Sequence, residues 1–477
     1  MTSAPVQGDN WLDARPLDLR GRRVVVMGLG RFGGGVGVTR FLVARGAKVL
    51  VTDSDKPEDL RDSVKQLEGL DVAFKLGGHE TNDFADADLI VVNPAVKPGN
   101  EYLAAARAAG VPLTSEIRLL TRLLPSRLRT IGITGSAGKS TTTAMVGHIL
   151  RRTLASPQAR GGSPPRASDP TPPHPQVHLG GNLGGSLLND LDRIGPDDWV
   201  VLELSSFMLE GLREDKWSPH IALVTNLSKN HIDWHGTFEA YRDAKRVILA
   251  HQDPDEDIAL LGPGTSEHFD TVTDRTVQIE ADAGDDPLVP SLLIPGRHNR
   301  LNAAMAVLVC AAAGVDPVEG GQALADFAGL PHRLQFVAEH NGVRFFNDSK
   351  STTPEAARLA MEAFAKDTVH VILGGYDKGS DLSQLAAFAR DHCRGVYTVG
   401  ATGPAIASAA RDASGSAHVI ECETLDNALR ESLSRSRAGD VILLSPACAS
   451  WGQFTNFEQR GARFVEAVLK YTSEVAR

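Results

Sequence analysis

The sequence predicts an α/β protein of three domains, each built on a mainly parallel sheet. Short apolar runs such as Arg23-Val24-Val25-Val26-Met27, Ile131-Gly132-Ile133-Thr134 and Val441-Ile442-Leu443-Leu444 end abruptly in glycine or polar turns. Helical segments follow those turns, which is the rhythm of doubly wound sheets. The length of 477 residues accommodates about three domains at roughly 100–200 residues each. The order of the strand–turn–helix units places them at 1–117, 118–329 and 330–477. With 42% hydrophobic and 23% charged residues, the chain has enough apolar material for packed cores. The 49 basic against 59 acidic residues give a formal charge of −10, which argues against a nucleic-acid surface but not against phosphate pockets.

The first domain opens with the strand Arg23–Met27, the turn Gly28-Leu29-Gly30-Arg31-Phe32-Gly33, a helix to about Ala44, and the strand Lys48–Asp53. This is the G-x-G-x-x-G pattern, with an acidic residue about 20 positions on. By itself it specifies a tight turn that presents backbone N–H groups to a pyrophosphate, in a dinucleotide or in a UDP-sugar alike. Asp53 either accepts hydrogen bonds from a base or ribose or is a solvated strand-end carboxylate. The unit continues through Ala87–Pro94, another buried-type strand ending in a turn, and closes near residue 117.

The second domain centres on Ile131-Gly132-Ile133-Thr134-Gly135-Ser136-Ala137-Gly138-Lys139-Ser140-Thr141-Thr142. Gly135 and Gly138 let backbone amides approach phosphates, and a helix begins directly afterwards (Met145, Val146, Ile149 and Leu150 on its inner face). Lys139 neutralises the outer phosphates, and the Ser140 or Thr141 hydroxyl is available to magnesium. Ile133 occupies the first glycine position of the usual phosphate-loop pattern, yet the remaining features predict an ATP or GTP cradle. Residues 153–177, rich in Pro, Ser and Gly, lack the apolar side chains to offset ordering entropy and read as a disordered insertion.

Two strands then deliver polar residues. Val200–Ser206 places Glu203 within an apolar run, where a carboxylate needs a partner or a cation. Ile221–Leu227 leads to Asn230-His231-Ile232-Asp233, and its position in a nucleotide-binding domain makes His231 a candidate metal ligand. Lys245, on the helix Thr237–Ala250, reads in isolation as a solvated residue.

The third domain opens at Leu330-Pro331-His332-Arg333. Its strand ends carry Asn347-Asp348-Ser349-Lys350, Gly374-Gly375-Tyr376-Asp377-Lys378 and Ser445-Pro446-Ala447-Cys448-Ala449-Ser450. Asp348, Lys350 and Lys378 form a set suited to holding anions beside a nucleotide. Helices are expected at Glu355–Phe364 and Leu382–Arg390. Cys310, Cys393, Cys422 and Cys448 lack metal-ligand spacing and read as buried free thiols in a reducing compartment. No stretch approaches the ~18 apolar residues of a membrane helix, and the N-terminus does not resemble a signal peptide. A cytoplasmic protein is expected.

These motifs together resemble the Mur ligase family. They include Thr134–Thr141, Gly181-Asn182, Glu203–Phe207, Asn226–Asp233, Tyr241-Arg242-Asp243-Ala244-Lys245, His298-Asn299 with Asn302-Ala303, Leu330–Arg333, Asn347–Lys350, Ser445–Ser450 and Phe457–Gly461. Within the family the chain looks like the members that add D-glutamate to UDP-N-acetylmuramoyl-L-alanine. The resemblance implies a Rossmann-like UDP-binding domain, a phosphate-loop ATPase-like central domain and a Rossmann-like C-terminal domain. It implies an ATP-dependent ligase of the cytoplasmic stage of peptidoglycan synthesis, working through an acyl phosphate with two Mg²⁺ ions. A monomer acting on small-molecule substrates, without nucleic acid or membrane insertion, is expected.

Family positions imply catalytic roles for Lys139, Glu203, His231 and Lys245. Metal ligation is implied for Ser140 with Glu203, and for His231 with a carbamylated Lys245. ATP contacts fall to Gly135, Ser136, Ala137, Gly138, Lys139, Ser140, Thr141, Asn299, Asn302, Arg333 and Asp348. The UDP-substrate falls to Arg31, Phe32, Asp53, Asn182 and Ser205, and D-glutamate to Lys350, Thr352, Lys378, Ser450 and Phe457. Asn230 stands where the family usually has Asp, which removes a negative charge near the second metal. Asp55 stands where an arginine sometimes follows the first-domain acid. Leu261-Gly262-Pro263-Gly264 replaces an Asn-x-Asp-Asp turn. Two other classes compete: a Rossmann oxidoreductase, which leaves Thr134–Thr141 unexplained, and a non-enzymatic nucleotide switch, which leaves Glu203, His231 and Lys245 without purpose.

Overall fold

A computed structural model describes residues 17–30, 33–154, 175–376, 381–411 and 417–474. They contain three sheets in two compact units. The first unit holds the described residues up to Ala283 together with Ala304–Gly320, and the second holds Gly284–Ala303 and the described residues from Gly321 onward.

The first sheet comprises β1 (Arg23–Met27), β2 (Lys48–Asp53), β3 (Val72–Leu76), β4 (Leu89–Val92) and β5 (Leu113–Thr114), all parallel, in the order β3-β2-β1-β4-β5. The second comprises β6 (Thr130–Thr134), β7 (Val177–Gly181), β8 (Trp199–Glu203), β9 (Ile221–Val224), β10 (Ile258–Leu261) and β11 (Thr276–Gln278). It too is parallel throughout, in the order β11-β10-β9-β6-β8-β7. The near-continuous apolar runs of β1 and β8, and the fully buried Thr-Ile-Gly-Ile-Thr of β6, follow from burial of both faces beneath crossover helices.

One apolar cluster runs from Val24 and Val26 of the first sheet through Leu119 and Leu120 to Val200 and Leu202 of the second, so these two sheets form one unit. The helix Glu116–Leu123 links them. Its Arg118 binds Asp215 with both Nε (2.7 Å) and Nη2 (2.9 Å) and Glu214 with Nη1 (2.7 Å). A paired, largely buried guanidinium of this kind fixes orientation as well as contact.

The third sheet, in the second unit, has β12 (Gln335–His340), β13 (Val343–Asn347), β14 (Val369–Gly374), β15 (Gly395–Val399), β16 (His418–Glu423) and β17 (Val441–Leu444), in the order β12-β13-β17-β14-β15-β16. Only β12 runs antiparallel, with a register shift between Phe336 and Ala338. The doubly wound architecture in three sheets is as the sequence predicts.

Some local expectations shift. The helix after the phosphate loop runs to Leu154 and β7 begins at Val177, so the margins of the expected insertion 153–177 are regular structure. Its remaining core, 155–174, lies outside the described residues. The expected helices 355–364 and 382–390 occur as Pro354–Glu362 and Ser383–His392. Among the described residues no helix is long and apolar enough to cross a membrane. All four cysteines are buried and free.

Candidate active site

The phosphate loop sits at the carboxyl end of β6, the position from which parallel sheets present ligand-binding turns. Gly135 adopts φ +147°, and a Cβ there would come within 1.9 Å of Thr225 Oγ1, so the residue must be glycine. The loop is braced from β9. Ala137 N donates to Asn226 Oδ1 (2.9 Å), while Asn226 Nδ2 (3.0 Å) and Thr225 Oγ1 (2.7 Å) both donate to Ala137 O. Ser136 Oγ bonds Ser228 O and the Tyr241 hydroxyl, each at 3.0 Å. Lys139 Nζ folds over the loop onto Gly135 O (3.0 Å) and Ser136 O (3.2 Å). The helix Lys139–Leu154 starts here, with Ser140 and Thr141 half-buried in its first turn. Amides, helix dipole and lysine thus converge where an anion would sit.

Glu203 ends β8 and is 1% exposed. Asn182 Nδ2 donates to its Oε1 at 3.0 Å, whereas Oε2 is buried with no partner. A buried carboxylate oxygen left open is costly unless it meets a cation. Lys245 is equally buried (1% exposed), donating to Gly135 O (2.8 Å) and Thr134 Oγ1 (3.2 Å) and lying 4.7 Å from the Tyr241 ring centroid. Burial, reinforced by the Lys139 charge and opposed by Glu203, holds its pKa well below the usual lysine range. The reading of Lys245 as a solvated residue is therefore corrected: Tyr241 and Ala244, buried on the same helix, turn this face inward.

His231 lies exposed at the start of the short helix Ile232–His235, with φ +52°. Its ring packs edge-on against Phe207 (4.9 Å between centroids). Desolvation, followed by the charges of Lys139 and Lys245, lowers its pKa and favours the neutral imidazole. Asn230 Oδ1 accepts from the His231 backbone N–H at 2.9 Å. Among the described residues no three His, Cys, Asp or Glu side chains form a metal-sized cluster. The open Glu203 oxygen and the nearby hydroxyls nonetheless suit Mg²⁺, which keeps much of its shell as water and phosphate oxygen.

A cavity of about 1260 Å³ adjoins this site within the first unit. It extends from the Gly28–Gly30 turn and Asp53, past Asn93 and Glu116, to Asn182, Ser205 and Trp234. Asp53 Oδ2 accepts from Gly30 N (3.0 Å) and Oδ1 from Asp55 N (2.9 Å), so the expected nucleoside-binding acid also shapes the turn itself. Ser205 caps the helix Ser206–Leu212 by accepting from Met208 N (3.2 Å). Trp234 Nε1 donates to Ala95 O (3.3 Å) and Lys97 Nζ to Asp233 O (3.1 Å), tying the His231 loop to the first sheet's loops. Arg31 and Phe32 lie outside the described residues.

Other expected residues belong to the second unit. Asn299 Nδ2 donates to Pro295 O (2.6 Å) and Asn302 Nδ2 to Asn299 Oδ1 (3.3 Å). Asp348 accepts from Ser445 Oγ (2.8 Å) and Leu334 N (3.1 Å), and burial raises its pKa to about 6 against the opposing charge of Arg333. Arg333 itself is exposed. Lys350 Nζ sits 5.2 Å from the Phe457 ring centroid, Ser450 is buried and Thr352 half-buried. Phe457 begins the helix Phe457–Glu474, where backbone amides lack intrahelical acceptors. Lys378 lies outside the described residues.

Sequence reasoning gave no role to Arg460, which is 2% exposed and bonds Ser349 Oγ (3.0 Å), Ser349 O (2.8 Å) and Cys448 O (3.0 Å). It also passed over Asn93 and Glu116. Their signal was their position, at a strand end and a helix start of nucleotide-binding folds.

Family models match along the chain: the Mur ligase MurD-like N-terminal domain at 22–115, the Mur ligase middle domain at 133–278, and the Mur ligase glutamate ligase domain at 332–448. The UDP-N-acetylmuramoylalanine--D-glutamate ligase of Koribacter versatilis is 34% identical, covering 96% of this chain and 99% of that protein. The protein of the same description from Acidobacterium capsulatum is 35% identical, with the same coverage. The fold is similar to the UDP-N-acetylmuramate-alanine ligase MurC of Thermotoga maritima, with TM-score 0.55 at 20% identity over 94% of this chain and all of that one. With near-full-length relatives and family models along its length, the chain belongs to the Mur ligase family.

Proposed function

We propose that this chain is the ATP-dependent ligase that joins D-glutamate to UDP-N-acetylmuramoyl-L-alanine in peptidoglycan synthesis. The observation that carries the reading is the continuous cavity from Gly28–Gly30 to Asn182 and Ser205, ending beside Glu203. A nucleotide-linked acid held at one end can present its carboxylate at the other, where the phosphate loop stands. The relatives' printed activity, at 34–35% identity over nearly the whole chain, supports D-glutamate as the added amino acid.

In this reading the γ-phosphoryl group of ATP passes to the substrate carboxylate, forming a C–O–P link and releasing ADP. The amine of D-glutamate then attacks the acyl carbon, the C–N bond forms, inorganic phosphate leaves and the amine loses a proton. Such a transfer between anions needs alignment and charge neutralisation rather than a protein nucleophile. Lys139 and the loop amides from Gly135 to Thr141 hold the phosphates. Asn182 orients Glu203, and Ser205 faces the acid. Asn299, Asn302, Arg333 and Asp348 hold the nucleotide; Lys350, Thr352, Lys378, Ser450 and Phe457 hold the D-glutamate carboxylates. Arg31, Phe32 and Asp53 hold the UDP end.

Mg²⁺, two ions in this reading, would supply charge neutralisation at the transferring phosphoryl group. Ser140 and Glu203 would hold one, and His231 with Lys245 the other. Lys245 supports this role as a buried amine whose ammonium form is disfavoured by burial: on adding CO₂ the N–C bond forms, a proton is lost, and the side chain becomes an anionic oxygen ligand. The reading includes functional domains 1–117, 118–329 and 330–477 and a monomer working in the cytoplasm.

Phosphate release with ATP, Mg²⁺ and UDP-N-acetylmuramoyl-L-alanine tests it, comparing D-glutamate with L-glutamate, D-aspartate, meso-diaminopimelate and L-lysine. Release confined to D-glutamate is expected. Release with another amino acid would retain the ligase chemistry and overturn the assigned specificity, and none with any would overturn the reading.

A further inference from the structure

The second unit contains a cavity of about 350 Å³ at the carboxyl ends of β14, β15 and β16 that the ligase reading does not use. Tyr376 and Trp451 form one wall, with ring centroids 5.3 Å apart at 62°, and are 44% and 50% exposed. The main-chain bridge Tyr376 N→Ala449 O (2.9 Å) ties this wall to the Ser445–Ser450 segment. Facing it, β15 turns through Gly400-Ala401-Thr402-Gly403 into the nine-residue helix Gly403–Arg411. Gly400 has φ +69°, and a Cβ there would lie 2.8 Å from Gly375 Cα, so the close turn requires glycine. Gly400 N donates to Glu423 O at 3.0 Å, joining the turn to the end of β16. Glu421 and Glu423 line the cavity from that strand.

Strand, glycine turn, helix, strand and terminal acid about 20 residues on is the arrangement in which doubly wound folds hold a ribose. Thr398 adds an independent observation. It lines the cavity at 1% exposure, and its buried hydroxyl has no partner. A Cβ on Gly403 would lie 3.5 Å from that hydroxyl oxygen, which places it beneath the turn. Charge narrows the ligand. Among the described residues no Lys or Arg lines the cavity, and Arg411 is ion-paired with Glu421 at 2.7 Å. Glu421 is neutralised by Arg411, and the Glu423 carboxylate, with no Lys or Arg lining the cavity among the described residues, disfavours phosphate groups. Exposed aromatic faces favour a planar base, and carboxylates favour hydroxyl donors.

We propose that this cavity binds a nucleoside, its base against Tyr376 and Trp451 and its ribose hydroxyls donating to Glu421 and Glu423. The site is separate from the residues assigned to ATP and UDP, and its existence does not depend on the ligase reading. Because Trp451 directly follows Ser450, occupancy is placed to affect the amino-acid site.

Equilibrium dialysis of the full chain with labelled adenosine tests the proposal, with a non-hydrolysable ATP analogue and UDP present at saturation to fill the other nucleotide sites. Saturable binding of one adenosine per chain is expected, with AMP at least about tenfold weaker and Trp451→Leu and Glu423→Gln each weakening adenosine at least about tenfold. Uridine binding in place of adenosine, with the same variant response, also supports the nucleoside class. No saturable binding of either nucleoside, equal affinity for AMP, or indifference to both variants would overturn it. Thermal melting identifies any variant that unfolds, and Glu421→Gln then stands in for it. Phosphate release by the unsubstituted chain reports separately on the ligase reading.

Discussion

The side-chain amide of Asn182 donates to Oε1 of Glu203 at 3.0 Å, and Oε2 of the same buried carboxylate has no partner. The amide fixes the carboxylate's rotation and leaves one oxygen available. Glu203→Gln keeps the shape but removes the charge, and should lower kcat for phosphate release by about 10²–10³-fold. Removing an uncompensated buried charge should leave the melting temperature unchanged or higher. Activity retained within about twofold would remove Glu203 from the phosphoryl-transfer site.

Lys245 tests the same site from the opposite side. Its ammonium form is disfavoured by burial and by Lys139, which favours the free amine that adds CO₂. Lys245→Ala should abolish turnover, and millimolar acetate or propionate should restore part of it by returning a carboxylate to the vacated space. In the unsubstituted chain, ¹³C-bicarbonate should yield a carbamate resonance that Lys245→Ala lacks. A resonance that persists in the variant would place the adduct elsewhere.

Much of this site was legible in the sequence because its elements are punctuated locally. Apolar runs bounded by glycine give β1 at 23–27 and β2 at 48–53, as observed. Thr237 caps the helix Phe238–Ala250 by accepting from Ala240 N, so that helix begins within a residue of expectation. What was not legible depends on contacts distant in sequence. The inward turn of Lys245 requires β6 packed against its helix, and the bond from Gly30 N to Asp53 requires a strand pairing. The edge strand β12 escaped detection because its half-buried Gln-Phe-Val-Ala-Glu-His shows neither alternation nor a continuous apolar run, and a register shift breaks its pairing.

Glu116 supplies a pH prediction. It stands partly buried in the wall of the large cavity, accepts from Ser186 Oγ at 2.8 Å, and burial raises its pKa to about 7 from 4.5. Below about pH 4.5 it is protonated in both folded and unfolded chains. Between 4.5 and 7 the folded chain binds the proton more tightly, and that stabilisation is lost as the pH rises through 7. Glu116→Gln, which can still accept from Ser186, should therefore be more stable than the parent at pH 8 by about 2 kcal/mol, allowing for partial solvent screening. The difference should shrink at pH 5. Urea unfolding at both pH values checks this, and an equal difference at each would assign the effect to packing.

Arg460 joins the two segments that carry the proposed D-glutamate contacts. Its guanidinium bonds Ser349 O and Oγ, next to Lys350, and Cys448 O, two residues before Ser450. Burial lowers its pKa to about 10, so it remains charged at neutral pH while bonding neutral acceptors. Such a group serves geometry, because a planar fork reaches three acceptors on two segments. Arg460→Lys keeps the charge and loses the fork, and should destabilise the protein by about 2–3 kcal/mol. If the fork sets the spacing of Lys350 and Ser450, KM for D-glutamate should rise about tenfold while KM for ATP changes less. A fall in melting temperature with unchanged KM for D-glutamate would make Arg460 a structural brace alone. A rise specific to D-glutamate makes it a positioning residue for the amino-acid pocket.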